Sequence, residues 1–247
     1  MADTIEISTP DGAVEAYLGC PEGAPRGGIL FFMDAFGLRG WIGEMVDEIA
    51  SWGYVVLAPN VFHRDGTVAE LVPPIDLMDP AERGRFFAEL GGRERIAHLT
   101  PELAARDLPA YVATLQQYAG TGAPLGTTGY CMGARLALRA AGQSDLFRAV
   151  GGFHGGSLVT DDPASPHTTV RAGVTYLFGH ADQDGSMTPA DGAVLDDALR
   201  AVGAPFTSAF YPGGTHGYTM RDTSNWHEPS YQRHCRELRE LFADVLG

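Results

Sequence analysis

The chain has 247 residues, with 17 basic against 31 acidic side chains and a formal charge of −14. Every basic residue is an arginine, so chemistry that needs a lysine amine is excluded: a Schiff base, a pyridoxal-phosphate anchor or a P-loop lysine. The acidic balance argues against nucleic acid or an anionic membrane surface as a partner, because a polyanion would be repelled.

Hydrophobic residues make up 45% of the chain, enough core for one domain over residues 1–247. No apolar run approaches the length of a membrane span. The opening Met-Ala-Asp-Thr-Ile-Glu lacks the apolar stretch of a signal peptide. Cys20, Cys131 and Cys235 lie far apart without CxxC spacing, which gives neither a disulfide framework nor a zinc site. A cytoplasmic protein without metal or cofactor, monomeric or homodimeric, is the expectation.

In chain order, Thr4–Ser8 and Val14–Leu18 alternate around Pro10-Asp11-Gly12, the pattern of an N-terminal hairpin. The run 28–33 is continuously apolar, as in a strand buried on both faces, and Tyr54–Ala58 repeats that pattern. Between them Trp41, Met45, Ile49 and Trp52 have helical spacing. Residues 60–99 are rich in proline and charge, and read as a loop with one short helix over the sheet edge. Asp79-Pro80-Ala81-Glu82 provides that helix with its cap, its first-turn proline and its first-turn acid. Thr100-Pro101-Glu102 starts a longer helix to about Ala119, with a kink expected at Pro109. Strands then fall at 124–130, 146–153, 174–178 and 205–211, alternating with helices at 131–141, 189–202 and 229–246. This alternation is the signature of an α/β fold with a mostly parallel central sheet and helices on both faces.

The chemistry gathers at the ends of these strands. Gly129-Tyr130-Cys131-Met132-Gly133 follows a strand and opens a helix. It is the nucleophile-elbow pattern with cysteine in place of serine. The sharp turn crowds its flanks, hence the glycines. The helix N-terminus faces the sulfur and favours thiolate, and the Met132 amide can donate to an oxyanion. Elbow enzymes place nucleophile, acid and histidine in that order along the chain. Here Gly179-His180-Ala181-Asp182 and Gly214-Thr215-His216-Gly217 follow at later strand exits, which makes Asp182 and His216 the expected partners. Asp184 is a near rival to Asp182, and either could instead cap the following helix. The second oxyanion donor is expected from the Ala35 amide in Met33-Asp34-Ala35-Phe36-Gly37, the loop after the first buried strand. His154, in Gly-Gly-Phe-His-Gly-Gly, could line the pocket at another strand exit; the remaining histidines lack metal-ligand spacing.

These motifs resemble the dienelactone hydrolases, cysteine members of the α/β-hydrolase fold, over nearly the whole chain. The resemblance implies a Cys131–Asp182–His216 triad and an early-loop carboxylate, here Asp34, that helps to ionise the thiol. Asp34 is one methylene shorter than the family's glutamate. Arginines that hold a substrate carboxylate are matched by Arg83 or Arg85 and loosely by Arg221. Phe36 and Tyr130 join them as expected pocket residues. The implied activity is hydrolysis of a small enol-lactone or activated ester through a thioester. A C–C bond hydrolase or acyltransferase on the same triad, a catalytically quiet binding protein, and a redox sensor built on Cys131 are the competing readings.

Overall fold

In the computed structural model, which describes residues 2–247, the alternating N-terminal segments form β1 (Asp3–Thr9) and β2 (Gly12–Gly19), an antiparallel hairpin. The apolar runs become β3 (Gly28–Phe32) and β4 (Val55–Pro59), with every residue buried. Helix α1 (Gly40–Ser51) joins them and buries Trp41, Met45 and Ile49, the residues whose spacing marks its inner face.

Residues 60–99 hold three short helices: α2 (Val68–Leu71), α3 (Pro80–Glu89) and α4 (Gly92–His98). Asp79 caps α3 as its sequence demands, accepting from the Ala81 amide at 2.8 Å. Thr67 and Glu70 form a capping box on α2. Instead of covering a sheet edge, α3 lays Phe86 and Phe87 against Phe36, in the loop that leaves β3, with ring centroids 5.2 and 5.4 Å away. Helix α5 (Pro101–Ala119) is capped by Thr100 and runs unbroken through Pro109.

The second half alternates β5 (Leu125–Tyr130), α6 (Met132–Gln143), β6 (Phe147–Phe153), β7 (Thr175–Gln183), α7 (Pro189–Ala201), β8 (Phe206–Thr215) and α8 (Glu228–Leu246). Among the described residues, eight strands lie in one sheet, ordered β1-β2-β4-β3-β5-β6-β7-β8. Only the pairings of β2 with β1 and β4 are antiparallel. β3, β4 and β5 are buried throughout, so both of their faces are covered. Each buried Phe or Tyr of this centre contributes roughly 1.5–3 kcal/mol of transfer free energy. Strands β7 and β8 reach past their apolar stretches and keep pairing out to Gln183↔Thr215, with a register shift after Ala181. That extension decides where Asp182 and Asp184 sit. Among the described residues no helix is long and apolar enough to cross a membrane.

Candidate active site

Cys131 occupies the turn between β5 and α6 with φ 55° and ψ −121°. A non-glycine residue held there costs of order 1–3 kcal/mol, which the surrounding structure must supply. The flanking glycines have a steric reason. A Cβ on Gly129 would lie 2.1 Å from the Gly133 carbonyl oxygen, and one on Gly133 would lie 2.3 Å from that of Phe32. The Cys131 amide donates to the Phe153 carbonyl at 3.1 Å, tying the turn to β6. The side chain is half-buried and lines the same recess as His216, whose charged form its sulfur favours.

His216 follows β8 directly. Its Nδ1 lies 2.6 Å from Asp184 Oδ2. Asp184 also accepts from the Ser186 amide at 2.8 Å and from Ser186 Oγ at 2.7 Å, both through Oδ1. Burial opposes the Asp184 charge, but His216 and Ser186 outweigh it and hold the carboxyl at about 2. Burial likewise opposes a charged His216, yet the Cys131 sulfur and Asp184 together raise it well above the ordinary imidazole range.

The carboxylate expected from sequence, Asp182, is not the one that meets His216. It still belongs to β7, is exposed, and accepts from the Gly213 amide of β8 at 2.9 Å. The strand outlasts its apolar run by several residues. The first carboxylate free to turn toward the histidine loop is therefore Asp184.

Asp34, Ala35, Phe36, Arg83, Cys131 and His216 line a recess of about 90 Å³. Asp34 does not spend its oxygens on the thiol. Arg39 clasps it with both terminal nitrogens, at 2.7 and 2.9 Å, and the Phe36 amide donates at 3.0 Å. Arg39 also reaches Asp222. Burial works against its charge, and the two carboxylates more than compensate. Ala35 is buried on the wall of the recess, and Met132 is the first residue of α6. Among the described residues neither amide donates to another protein group.

The other expected pocket residues divide. Phe36 lines the recess, as does Arg83, whose guanidinium is occupied by the Leu77 carbonyl at 2.6 Å and Asn225 Oδ1 at 3.0 Å. Arg85 is exposed and pairs with Glu82. Arg221 is also exposed, lying over the Trp41 ring and pairing with Glu44. Tyr130 is fully buried in the core, its hydroxyl 2.9 Å from His234 Nε2, because the residue before the nucleophile is still part of β5. His154 is fully buried as well. It bonds Thr219 Oγ1 through Nε2 at 2.7 Å and sets its ring edgewise to His216 with centroids 5.5 Å apart.

Two contributors escape sequence reading altogether. Nothing in Phe36-Gly-Leu-Arg39 announces that Arg39 folds back onto Asp34. Asn225 donates to the His216 carbonyl at 2.7 Å while accepting from Arg83, and no motif surrounds it. Among the described residues no group of three or more His, Cys, Asp or Glu side chains converges as metal ligands would.

Residues 14–246 match the dienelactone hydrolase family. A candidate carboxymethylenebutenolidase from Methylorubrum extorquens is 27% identical, the alignment covering 98% of this chain and 80% of that protein. The carboxymethylenebutenolidase of Pseudomonas putida is 26% identical over 61% of this chain and 60% of its own length. Among solved structures, a candidate dienelactone hydrolase from Klebsiella pneumoniae superposes with a TM-score of 0.82 at 20% identity, covering 99% of both chains. A dienelactone hydrolase-like promiscuous phosphotriesterase from metagenomic libraries gives 0.74 at 19% identity, over the whole of both chains. At these identities the superpositions show a shared α/β-hydrolase fold.

Proposed function

The chain belongs to the dienelactone hydrolase family and is a hydrolase of ester or lactone type acting on a small molecule, and on that premise we propose that it works through a Cys131–His216–Asp184 triad and a thioester intermediate. The observation that carries this reading is the placing of the His216 ring beside the Cys131 sulfur on one recess, anchored at Nδ1 by Asp184 at 2.6 Å.

In the first half-reaction the Cys131 sulfur adds to the acyl carbon while the carbonyl oxygen turns toward the Met132 and Ala35 amides. The C–O bond then breaks, and the leaving oxygen takes its proton from His216. In the second, His216 removes a proton from water. The hydroxide adds to the thioester carbon, the C–S bond breaks, and the acid departs. Asp184 holds the ring in the orientation that both transfers need.

Sulfur as nucleophile restricts the substrate. A thiol with a pKa near ~8.5 leaves a tetrahedral intermediate readily. An ordinary alkoxide cannot compete, and the adduct falls back to ester. A phenol, at about 10, or an enol of similar acidity leaves on comparable terms. Enol-lactones and aryl esters are therefore the substrates that go forward.

The test is intact-protein mass spectrometry after brief exposure to 4-nitrophenyl butyrate. The expected result is a single butyryl adduct on the peptide containing Cys131, absent from Cys131→Ala together with turnover. Full turnover by that variant would sink the reading.

A further inference from the structure

Two loops from distant parts of the chain meet on the recess beside Cys131. One leaves β3 and carries Ala35, whose amide the proposed mechanism turns toward the oxyanion; the other leaves β8 and carries His216. Arg39 joins them. Its Nη1 and Nη2 hold Asp34 at 2.7 and 2.9 Å, and Nη1 also donates to the Gly37 carbonyl at 3.0 Å. Its Nε and Nη2 hold Asp222, in the loop after His216, at 2.5 and 3.2 Å. Nη2 faces Met220 Sδ at 3.4 Å as well. Every nitrogen of the guanidinium is engaged, while Arg39 itself stays off the recess wall.

The first loop turns around the same carboxylate. Asp34 Oδ1 accepts from the Phe36 amide at 3.0 Å, and the Asp34 carbonyl accepts from the Gly37 amide at 3.3 Å. This is how an aspartate side chain closes a turn on its own backbone. Gly37 completes the turn at φ 88°. Ala35 lies inside it, its amide free of protein acceptors among the described residues. The direction of that amide is therefore set by how Asp34 is held.

Helix stability gives no reason for an arginine at this position. Arg39 is the N-cap of α1, where Ser, Thr, Asp or Asn would serve, and its side chain makes no cap hydrogen bond. A cation at a helix N-terminus opposes the dipole. The side chain is 8% exposed, and an apolar residue of similar size fills such a space on comparable or better terms. What an apolar residue cannot do is fork between carboxylates from two loops. Trp41 Nε1 adds a second tie from α1, to the Thr219 carbonyl at 2.8 Å, but it serves the histidine loop alone.

We infer that Arg39 is a positioning residue for the oxyanion cradle: it clamps the Asp34–Gly37 turn against the His216 loop and so keeps the Ala35 amide aimed at the acyl oxygen. This deepens the function proposed above and rests on it. Arg39 acts through Asp34 and Asp222, not on the substrate.

The experiment compares two reactions of one sulfur in full-length wild type, Arg39→Lys and Asp34→Ala. Iodoacetamide alkylates Cys131 by displacement: the C–S bond forms, iodide leaves with the C–I electron pair, and no carbonyl oxygen becomes an anion. Ester cleavage does develop an oxyanion and needs the cradle. Arg39→Lys keeps the cation and loses the fork. Asp34→Ala removes the anchor of the turn and leaves Arg39 paired with Asp222, so it carries the test should the lysine variant not fold. Both rates are read at the pH where alkylation of the Cys131 peptide, followed by mass spectrometry, has levelled off. The expected result is a fall of about tenfold or more in kcat/KM for 4-nitrophenyl butyrate, the scale on which a misplaced group acts, with Cys131 alkylation within about threefold of wild type. Turnover near wild type in either folded variant at that pH overturns the proposal; a deficit confined to lower pH would mean that Asp34 acts on thiol ionisation instead. Alkylation that falls in step with turnover overturns it too, because the sulfur and His216 would themselves be disturbed. Full turnover in Cys131→Ala removes the triad reading and this proposal with it, whereas full turnover in Arg39→Lys beside an inactive Cys131→Ala removes this proposal alone.

Discussion

Two histidines that touch each other, one after β8 and one after β6, end in opposite states. His216 is raised well above the ordinary imidazole range, with a sulfur on one side and Asp184 on the other. His154, 5.5 Å away ring to ring, is fully buried, bonds only a threonine hydroxyl through its side chain, and is pushed well below that range by burial first and by His216 second. The His154 ring is sealed from water, whereas the His216 side chain keeps 35% of its surface exposed. They differ in this exposure and in whether the local backbone delivers a charged partner. The β7–β8 extension delivers Asp184 to one, whereas the other, at the exit of β6, meets Thr219 from the loop after β8.

The sharpest way to break this contrast is to remove the partnered ring. His216→Asn is expected to lower kcat/KM for an aryl ester by about 10³-fold or more, the scale on which triad members act. Asp184→Asn comes next, with a loss of about 10²–10³-fold, while Asp182→Asn stays within about threefold because its carboxylate only receives the Gly213 amide. Equal losses for the two aspartates would place the anchor wrongly. His154→Phe keeps the ring packing and gives up one hydrogen bond, and is expected to cost about tenfold or less in turnover. A fall beyond about 10²-fold would mean that the buried ring takes a direct part. Nitrogen shifts of labelled histidines followed through a pH titration read the contrast itself: His216 is expected to hold its second proton to higher pH than an ordinary imidazole, and His154 to stay neutral to lower pH.

The smallest effect is on stability. His180 is held at about 4 and His234 at about 3, in each case by burial first. Both are lower folded than unfolded, where imidazole titrates near ~6.5. Their contribution is therefore complete above that pH and is lost as the unfolded chain gains protons on the way down to the folded values. Asp184, held at about 2, adds a further loss below about 4. The melting temperature should fall steadily from pH 6.5 to 3, and His180→Gln should flatten the upper part of that slope by on the order of 1 kcal/mol. A melting temperature independent of pH over this span would contradict the buried-neutral assignment.

The same contrast explains what could be read from the chain. Gly-Tyr-Cys-Met-Gly was legible because its glycines answer a local demand, the absence of room for a Cβ. The buried strands were legible because both faces are apolar, and α3 because Asp79-Pro80 caps any helix in any fold. Asp184 was read only as a rival to Asp182, since the sequence after Phe178 turns polar and looks like the end of a strand. The strand persists through pairing with β8, a tertiary fact. Arg39 left no local trace for a related reason: its partners, Asp34 and Asp222, come from different loops. The Thr67-x-x-Glu70 capping box, by contrast, was present in the sequence and would have resolved residues 60–99 into more than one helix.

The closeness of Gly133 to the end of β3 has its own consequence. Its backbone packs so tightly on the Phe32 and Met33 carbonyls that a single methyl group would have to wedge the two segments apart. Those carbonyls lead straight into Asp34 and Ala35, so the Met132 and Ala35 amides, proposed above to meet the developing negative charge, are spaced by one shared seam. Under the proposed mechanism, Gly133→Ala would thus widen that cradle while leaving the Cys131, His216 and Asp184 side chains intact, slowing both the formation and the collapse of the tetrahedral adduct.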